Sequence, residues 1–104
     1  MARKVVWTDP AAEDLIETVE YIARDSTAFA ATLARRVCDA GDSLSKQSER
    51  GRRFRDPEYA YLRELIIGPY RLVYQVEPKQ VVIHGVFHGR RDVVSLVRGR
   101  VRRK

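Results

Sequence analysis

The sequence has few residues of the kinds that cross-link a chain or ligate a metal. Cys38 is the single cysteine among 104 residues, so an intramolecular disulfide is excluded and a reducing cytosol is the expected location. The two histidines, His84 and His88, lie four residues apart on a predicted strand. That spacing separates them by roughly 13 Å, and a zinc ion that binds its ligands at about 2 Å cannot bridge it. No metal site is expected.

Other absences narrow the function further. No apolar run approaches the length of a membrane span, and no signal-peptide core follows the first residues, so we expect a cytoplasmic protein with no membrane partner. The sequence contains no Ser-x-x-Lys, no Gly-x-Ser-x-Gly and no glycine-rich phosphate loop. Nucleophilic chemistry is therefore poorly supported, no cofactor is expected, and Cys38 is interpreted as a small structural residue.

Positive charge is in excess and is clustered. Twenty Lys and Arg residues oppose fourteen Asp and Glu residues, which gives a net charge of +6. The clusters are Arg50, Arg52, Arg53 and Arg55; Arg90 and Arg91; and Arg98, Arg100, Arg102, Arg103 and Lys104. Such clusters suit a nucleic-acid or acidic-protein partner. A solvated surface with a frayed tail explains them equally well.

The first half of the chain predicts a strand and two helices. Residues 4–8 have the β-branched and aromatic composition of a strand, and Asp9-Pro10 then opens a helix with Asp9 as its cap. A second helix begins at Ser26 or Thr27, and the short connection predicts an antiparallel helical hairpin. The polar, arginine-rich stretch 45–57 is predicted to be an exposed loop.

The second half predicts a β-meander. Period-two alternation indicates strands at 61–67, 70–76 and 80–88, with Gly68-Pro69 and Pro78-Lys79 as turns. Connections this short require antiparallel pairing. We therefore expect an α+β fold in which a helical hairpin packs on one face of a small, mostly antiparallel sheet. A single domain over residues 1–104 with a basic tail from 93 to 104 is expected.

Alternation also assigns the two faces of the sheet. The expected core face consists of Tyr70, Leu72, Tyr74, Val76, Val81, Ile83 and Phe87. The opposite face would present Arg71, Val73, Gln75, Val82, His84, Val86 and His88. No segment is evident that would cover this second face. A half-apolar sheet face left open to solvent is typical of a binding surface.

Arg71 and His88 are the two side chains with the clearest chemical potential. Arg71 either pairs with Glu64 across the hairpin or points at a phosphate or carboxylate, since the guanidinium fork suits both. His88, at a strand end beside Arg90 and Arg91, is a candidate general base. A strand-end histidine that is hydrogen-bonded locally is the more common situation.

Residues 61–92 resemble the RelE/ParE toxin superfamily. The similarity is carried by Gly68-Pro69-Tyr70-Arg71-Leu72-Val73-Tyr74 together with His88-Gly89-Arg90-Arg91-Asp92. The segments Val6-Trp7-Thr8, Asp14-Leu15 and Tyr21-Ile22 match the opening strand and helix of that superfamily. The resemblance covers about residues 4–92, and it implies the same fold that periodicity predicts.

One branch, the RelE-like toxins, cuts mRNA on the ribosome. For that branch the resemblance implies a catalytic set of Arg71, Arg91 and His88, the two arginines binding phosphate and His88, or His84 in its place, substituting for the usual proton-transfer residue. The sequence departs from the branch where its two lysines fall on Leu62 and Glu64, and where its tyrosine falls near Val97. An acid opposes phosphate binding and a valine cannot transfer a proton.

The ParE-like branch is the closer match. It implies a non-enzymatic plasmid-stabilisation toxin of bacteria that poisons DNA gyrase and forms a hetero-oligomer with a cognate antitoxin. The expected target-binding residues are Arg71, His88, Arg90, Arg91, Arg98 and Arg100. The expected antitoxin-binding residues are Val73, Gln75, Val82, His84 and Val86, with grooves beside the hairpin as a second possibility. A degenerate, non-toxic family member and a general nucleic-acid binder are the remaining alternatives.

Overall fold

The structure, a computed structural model, describes residues 2–101, which form a mixed five-stranded sheet and three helices. The strands are β1 (Lys4–Trp7), β2 (Arg52–Arg53), β3 (Leu62–Ile67), β4 (Tyr70–Val76) and β5 (Gln80–His88). The helices are α1 (Asp9–Ala23), α2 (Thr27–Ser43) and α3 (Val93–Arg98), with a 3₁₀ turn at Pro57–Tyr59. The sheet order is β1-β5-β4-β3-β2. The predicted α+β fold is confirmed, with β1 parallel to β5 and the other pairs antiparallel.

Side-chain caps start both long helices. The Thr8 hydroxyl accepts a hydrogen bond from the amide of Ala11 at 3.2 Å, so Thr8 is the cap of α1 and Asp9 is already helical. The predicted cap at Asp9 was one residue late. Ser26 caps α2 by accepting from the amide of Phe29 at 3.1 Å. These bonds satisfy amides that the first turn of a helix leaves without partners. None of the helices among residues 2–101 has the length and apolarity needed to cross a membrane.

The helical hairpin covers one face of the sheet and forms the first core. Its buried members are Ala11, Leu33, Val37, Leu44, Leu65, Ile67, Leu72, Tyr74, Val81, Ile83 and Val86. The Tyr74 hydroxyl accepts a hydrogen bond from the amide of Gly51 at 2.8 Å, and burial raises the pKa of Tyr74. A Cβ at position 51 would lie 2.6 Å from that hydroxyl, so this contact requires glycine.

The opposite face is covered as well, contrary to expectation. A second core lies there, formed by Phe54, Tyr59, Leu62, Val73, Phe87, Val93 and Val97. Its cover comes from residues 54–59 and from α3, which occupies part of the predicted tail. Val93 and Val97 are one helical turn apart, so both reach the sheet. Burying an apolar sheet face stabilises the fold, and these residues supply the cover. Arg102, Arg103 and Lys104 lie outside the described residues.

A β-bulge in β5 changes which residues face which core. Tyr74 pairs with Ile83 and Val73 pairs with Gly85, so His84 is the extra residue. Beyond the bulge the alternation is inverted. Val86 therefore lies in the first core and Phe87 in the second, the reverse of the sequence-based assignment. The bulge also separates the histidines, which the unbroken alternation had placed on one face.

The stretch 45–57 is more ordered than a simple loop. Arg52 and Arg53 form β2, which pairs with Glu64 and Arg63 of β3 as the last strand of the sheet. The Arg63 guanidinium donates to the carbonyl oxygen of Gly51 at 2.8 Å. These bonds hold an arginine-rich segment against the edge of the sheet, where its charged side chains surround a cleft.

Candidate functional site

The segment around β2 forms one wall of a cleft on the α3 side of the sheet. This arginine cleft has a volume of about 600 Å³. Its lining consists of Arg52, Arg53, Phe54, Arg55, Asp56, Glu64, Arg71, Val93 and Val94. Four guanidinium groups and two carboxylates meet there, so the cleft has a moderate excess of positive charge.

Glu64 lies between two of these arginines. Its carboxylate is 3.1 Å from Nε of Arg71 and 3.4 Å from Nε of Arg52, and the Glu64 side chain is only 10% exposed. Of the two roles that the guanidinium of Arg71 suits, the structure contains the ion pair with Glu64. A buried carboxylate beside Arg71 reduces the attraction of that guanidinium for a phosphate.

A second concave site lies beside α1, near the end of the meander. This helix groove has a volume of about 450 Å³ and is lined by Asp14, Glu17, Thr18, Tyr21, Tyr70, Val86, His88 and Arg91. The His88 ring packs edge-on against Tyr70 at 5.5 Å between centroids. Its Nδ1 accepts a hydrogen bond from the amide of Arg90 at 3.2 Å, the local bond that the sequence analysis considered more common.

The candidate catalytic residues are divided between the two sites. Tyr70 pairs with His88 and Arg71 pairs with Phe87, so Arg71 shares a face with Phe87 and the second core. His88 points to the other face, where it shares the helix groove with Arg91. The structure therefore brings His88 and Arg91 together but places Arg71 on the opposite side of the sheet.

The remaining predicted target-binding arginines differ in their exposure and in whether another side chain holds the guanidinium group. Arg90 and Arg98 are exposed, and interaction with the side chain of Tyr59 raises the pKa of Arg98. Arg100 is held by Asp14, with contacts of 2.6 and 3.1 Å between its two terminal nitrogens and the carboxylate. Sequence reasoning missed this pair because its partners are 86 positions apart and nothing local links them.

Most of the predicted antitoxin-binding residues are not at the surface. Val73, Gln75 and Val86 are buried, and Val82 and His84 are half-buried. Nε2 of His84 lies 3.2 Å from the side-chain oxygen of Gln75. Burial lowers the pKa of His84. The expectation of an open face is wrong, because the cover described above buries Val73 and Gln75 and the bulge in β5 turns Val86 into the first core.

Side chains that could ligate a metal do not cluster in the part of the chain that the structure describes. No group of three or more His, Cys, Asp or Glu side chains within residues 2–101 is arranged to hold a metal ion. His84 contacts Gln75 on the α3 side of the sheet, whereas His88 lies in the helix groove on the other side.

Comparisons with known proteins agree with one another. A family model described as the ParE toxin of type II toxin–antitoxin system, parDE, matches residues 5–93. A curated relative, Toxin RelE2 of Caulobacter vibrioides, is 38% identical over 89 residues, which cover 85% of this chain and 97% of the relative.

Solved structures show the same fold. The RelBE2 toxin–antitoxin complex of Mycobacterium tuberculosis contains a chain with a TM-score of 0.59 and 27% identity, covering 85% of this chain and 99% of that one. A chain of the chromosomal ParDE system of P. aeruginosa has a TM-score of 0.69 at 20% identity, covering 84% and 96%. Free E. coli RelE, a mutant, has a TM-score of 0.64 at 17% identity, covering 92% and 93%. At 20% and 17% identity, the last two support the fold alone.

Proposed function

We propose that this chain, which belongs to the ParE toxin family within the RelE/ParE superfamily of type II toxin–antitoxin systems, inhibits DNA gyrase without being an enzyme itself. A cognate antitoxin would neutralise it. The family membership supplies the toxin assignment, and the placement of the charged side chains favours the non-enzymatic branch.

The separation of Arg71 from His88 carries this proposal. RNA cleavage by general acid–base catalysis needs a phosphate-binding cation and a proton-transfer group around one phosphate, each within hydrogen-bonding reach. Here the two residues lie on opposite faces of the sheet, and Glu64 is 3.1 Å from Nε of Arg71. Val97, where RelE-like toxins would have a tyrosine, is fully buried. These features argue against RNA cleavage in the arginine cleft.

The helix groove supports a second candidate, a RelE-like ribosome-dependent mRNA endonuclease. His88 and Arg91 share that groove, so a histidine and a cation are close enough for both to approach one phosphate. The carboxylate of Glu17 lines the same groove and would repel the phosphate. This arrangement makes RNA cleavage the weaker proposal.

The antitoxin would dock in the helix groove. The sheet face first expected to receive it is covered, whereas the groove beside the hairpin is open. Tyr21, which lines the groove, is 68% exposed and offers apolar contact area. The mixed acidic and basic walls would orient a bound segment of the antitoxin, since charged groups set register in peptide recognition. The family description and the RelBE2 toxin–antitoxin complex, whose matching chain is 27% identical, motivate this partner.

Pulse-labelling of DNA and protein synthesis, minutes after induction of this chain alone in bacteria, tests the function. We expect DNA synthesis to fail first while translation continues, followed by inhibition of supercoiling by purified gyrase. A Val37→Asp variant, which disrupts the first core, is the inactive control. Translation failing first, with mRNA cut in the ribosomal A site, would overturn the proposal in favour of the endonuclease. Harmless expression of folded protein would identify a degenerate member.

A further inference from the structure

The outer edge of β5 is paired with a neighbouring strand only along its first half. β1 pairs with β5 only from Gln80 to Ile83, and within the described part of the chain no strand continues alongside the rest of β5. The carboxylate of Asp14 instead accepts a hydrogen bond from the amide of Val86 at 3.0 Å. The guanidinium of Arg100 donates to the carbonyl oxygen of His84 at 3.2 Å. The side chains of Asp14 and Arg100 thus hydrogen-bond to backbone groups of β5 that a neighbouring strand would otherwise satisfy.

The same two side chains bind each other. Nη1 of Arg100 lies 2.6 Å from Oδ2 of Asp14, and Nη2 lies 3.1 Å from Oδ1, which is a two-pronged ion pair. The guanidinium also lies 4.9 Å from the centre of the Phe87 ring. The Asp14 side chain is 16% exposed and that of Arg100 is 26% exposed. We call the Asp14–Arg100 pair and its contacts with β5 the edge clasp.

The clasp joins side chains and backbone groups from three parts of the chain. Asp14 belongs to α1, His84 and Val86 to β5, and Arg100 to the segment that follows α3. Because α1 and α3 lie on opposite faces of the sheet, the clasp reaches around the sheet edge from one core to the other. Gly85 leaves the room for this passage, since a Cβ there would lie 2.9 Å from Nη1 of Arg100.

The C-terminal segment is short, and only two of its side chains are fully buried. α3 has six residues, and an isolated helix that short does not hold its shape in water. Val93 and Val97 are its buried anchors, and Val94, Leu96 and Val101 pack partly against the second core. Segments with few buried contacts open at a lower free-energy cost than the whole protein. The clasp therefore adds to the apolar contacts that hold this segment on the sheet.

We propose that residues 93–101 form a C-terminal lid over the second core and that the edge clasp is its latch. In the closed state, which this structure shows, Phe87 and Val73 are covered. In the open state Arg100 leaves Asp14, α3 swings away from the sheet, and the apolar α3-side face is exposed. Arg100 is accordingly a positioning residue, because its terminal nitrogens are engaged with Asp14 and His84 while the lid is closed.

Hydrogen exchange of the full chain, measured by mass spectrometry, tests the latch. The amides of Arg100 and Val101 donate to the carbonyl oxygen of Val97 within the lid, and they report its opening. Asp14→Asn and Arg100→Gln should each accelerate exchange in residues 93–101 by about tenfold or more, since a hydrogen bond to a charged group contributes at least that factor. The double variant should exchange no faster than the single ones, because both remove one interaction. Amides in α2 should exchange as in the original protein.

Arg90→Gln is the matched control, because it removes an exposed arginine near the lid without touching the clasp, and its exchange should be unchanged. Arg100→Lys keeps the charge but loses the two-pronged contact, so it should fold readily and still open the lid more often, by a smaller factor. Unchanged exchange in the Asp14 and Arg100 variants would overturn the proposal. Equal acceleration of the lid and α2 would also overturn it, since the segment would then open only with the whole protein.

Discussion

At the scale of single residues, one acidic side chain, Glu64, reduces the positive charge of the arginine cleft. Glu64 is nearly buried and contacts both Arg52 and Arg71, so the guanidinium groups that would attract a phosphate already have a counter-charge. Leu62, on the same face of the same strand, is apolar and completely buried in the second core. The departures from the RelE-like pattern that were evident in the sequence therefore have structural consequences.

His84 makes the stability of the protein depend on pH. Burial holds the pKa of His84 below its ordinary value of 6.5 in the folded state. As the pH falls through that value, the unfolded chain takes up the proton first, so acidification lowers the free energy of unfolding. His84→Gln removes this titration and keeps a polar contact for Gln75. We expect the original protein to lose more stability than the variant between about pH 7.5 and about pH 5.5 in urea denaturation. Equal losses would show that His84 does not contribute.

At the scale of secondary-structure elements, α3 is the one whose packing is most directly testable. Val97 is completely buried and Val94 is half-buried in the same helix. Val97→Ala should lower the free energy of unfolding by about 1–3 kcal/mol because it removes two buried methyl groups and leaves a cavity. Val94→Ala, the matched control, should cost under about 1 kcal/mol, since part of that side chain already meets solvent. Equal, small effects in chemical denaturation would mean that α3 does not pack on the sheet.

Elements with a strong local pattern were predictable from the sequence. The hairpin and the meander followed from periodicity and turn residues, and β4 and β5 begin and end where alternation placed them. The cover over the second face was not predictable, because α3 is short and lies among arginines that suggested a tail. The bulge at His84 was not predictable either, because one extra residue in a strand does not alter its composition. The bulge nevertheless exchanges the sheet faces that Val86 and Phe87 occupy.

The individual residues of the candidate sites were predictable from the sequence, but their grouping in space was not. Arg71, Glu64, His88 and Arg91 were recognised as individual residues from their types and neighbours. Whether they converge depends on which face each one takes, and the pairing of Tyr70 with His88 decides that question. The Asp14–Arg100 pair depends on contacts between the two ends of the chain, which a local pattern cannot reveal.

At the scale of the whole molecule, the positive charge is distributed over separate surfaces. Arg52, Arg53 and Arg55 line the arginine cleft, Arg91 lies in the helix groove on the other face, and Arg100 is neutralised by Asp14. Proteins that bind duplex DNA through charge present their cations as one continuous patch or stripe. Because the cations lie on separate surfaces, fewer of them can contact one duplex at the same time than the net charge of +6 suggests.

This distribution predicts how nonspecific DNA binding responds to salt. Each neutralised phosphate contributes about −0.9 to the slope of log K against log salt concentration, so six cations acting together would give about −5. Arg53 and Arg55, which line the arginine cleft beside the Glu64-paired Arg52, would give about −2. We expect the shallower slope when fluorescence anisotropy is measured with a random-sequence duplex over a range of salt concentrations. Arg53→Gln should reduce the slope by about 1, whereas Arg100→Gln should leave it nearly unchanged because Asp14 already neutralises Arg100. A slope near −5, or an equal loss in both variants, would instead indicate a continuous basic surface and favour the general nucleic-acid binder.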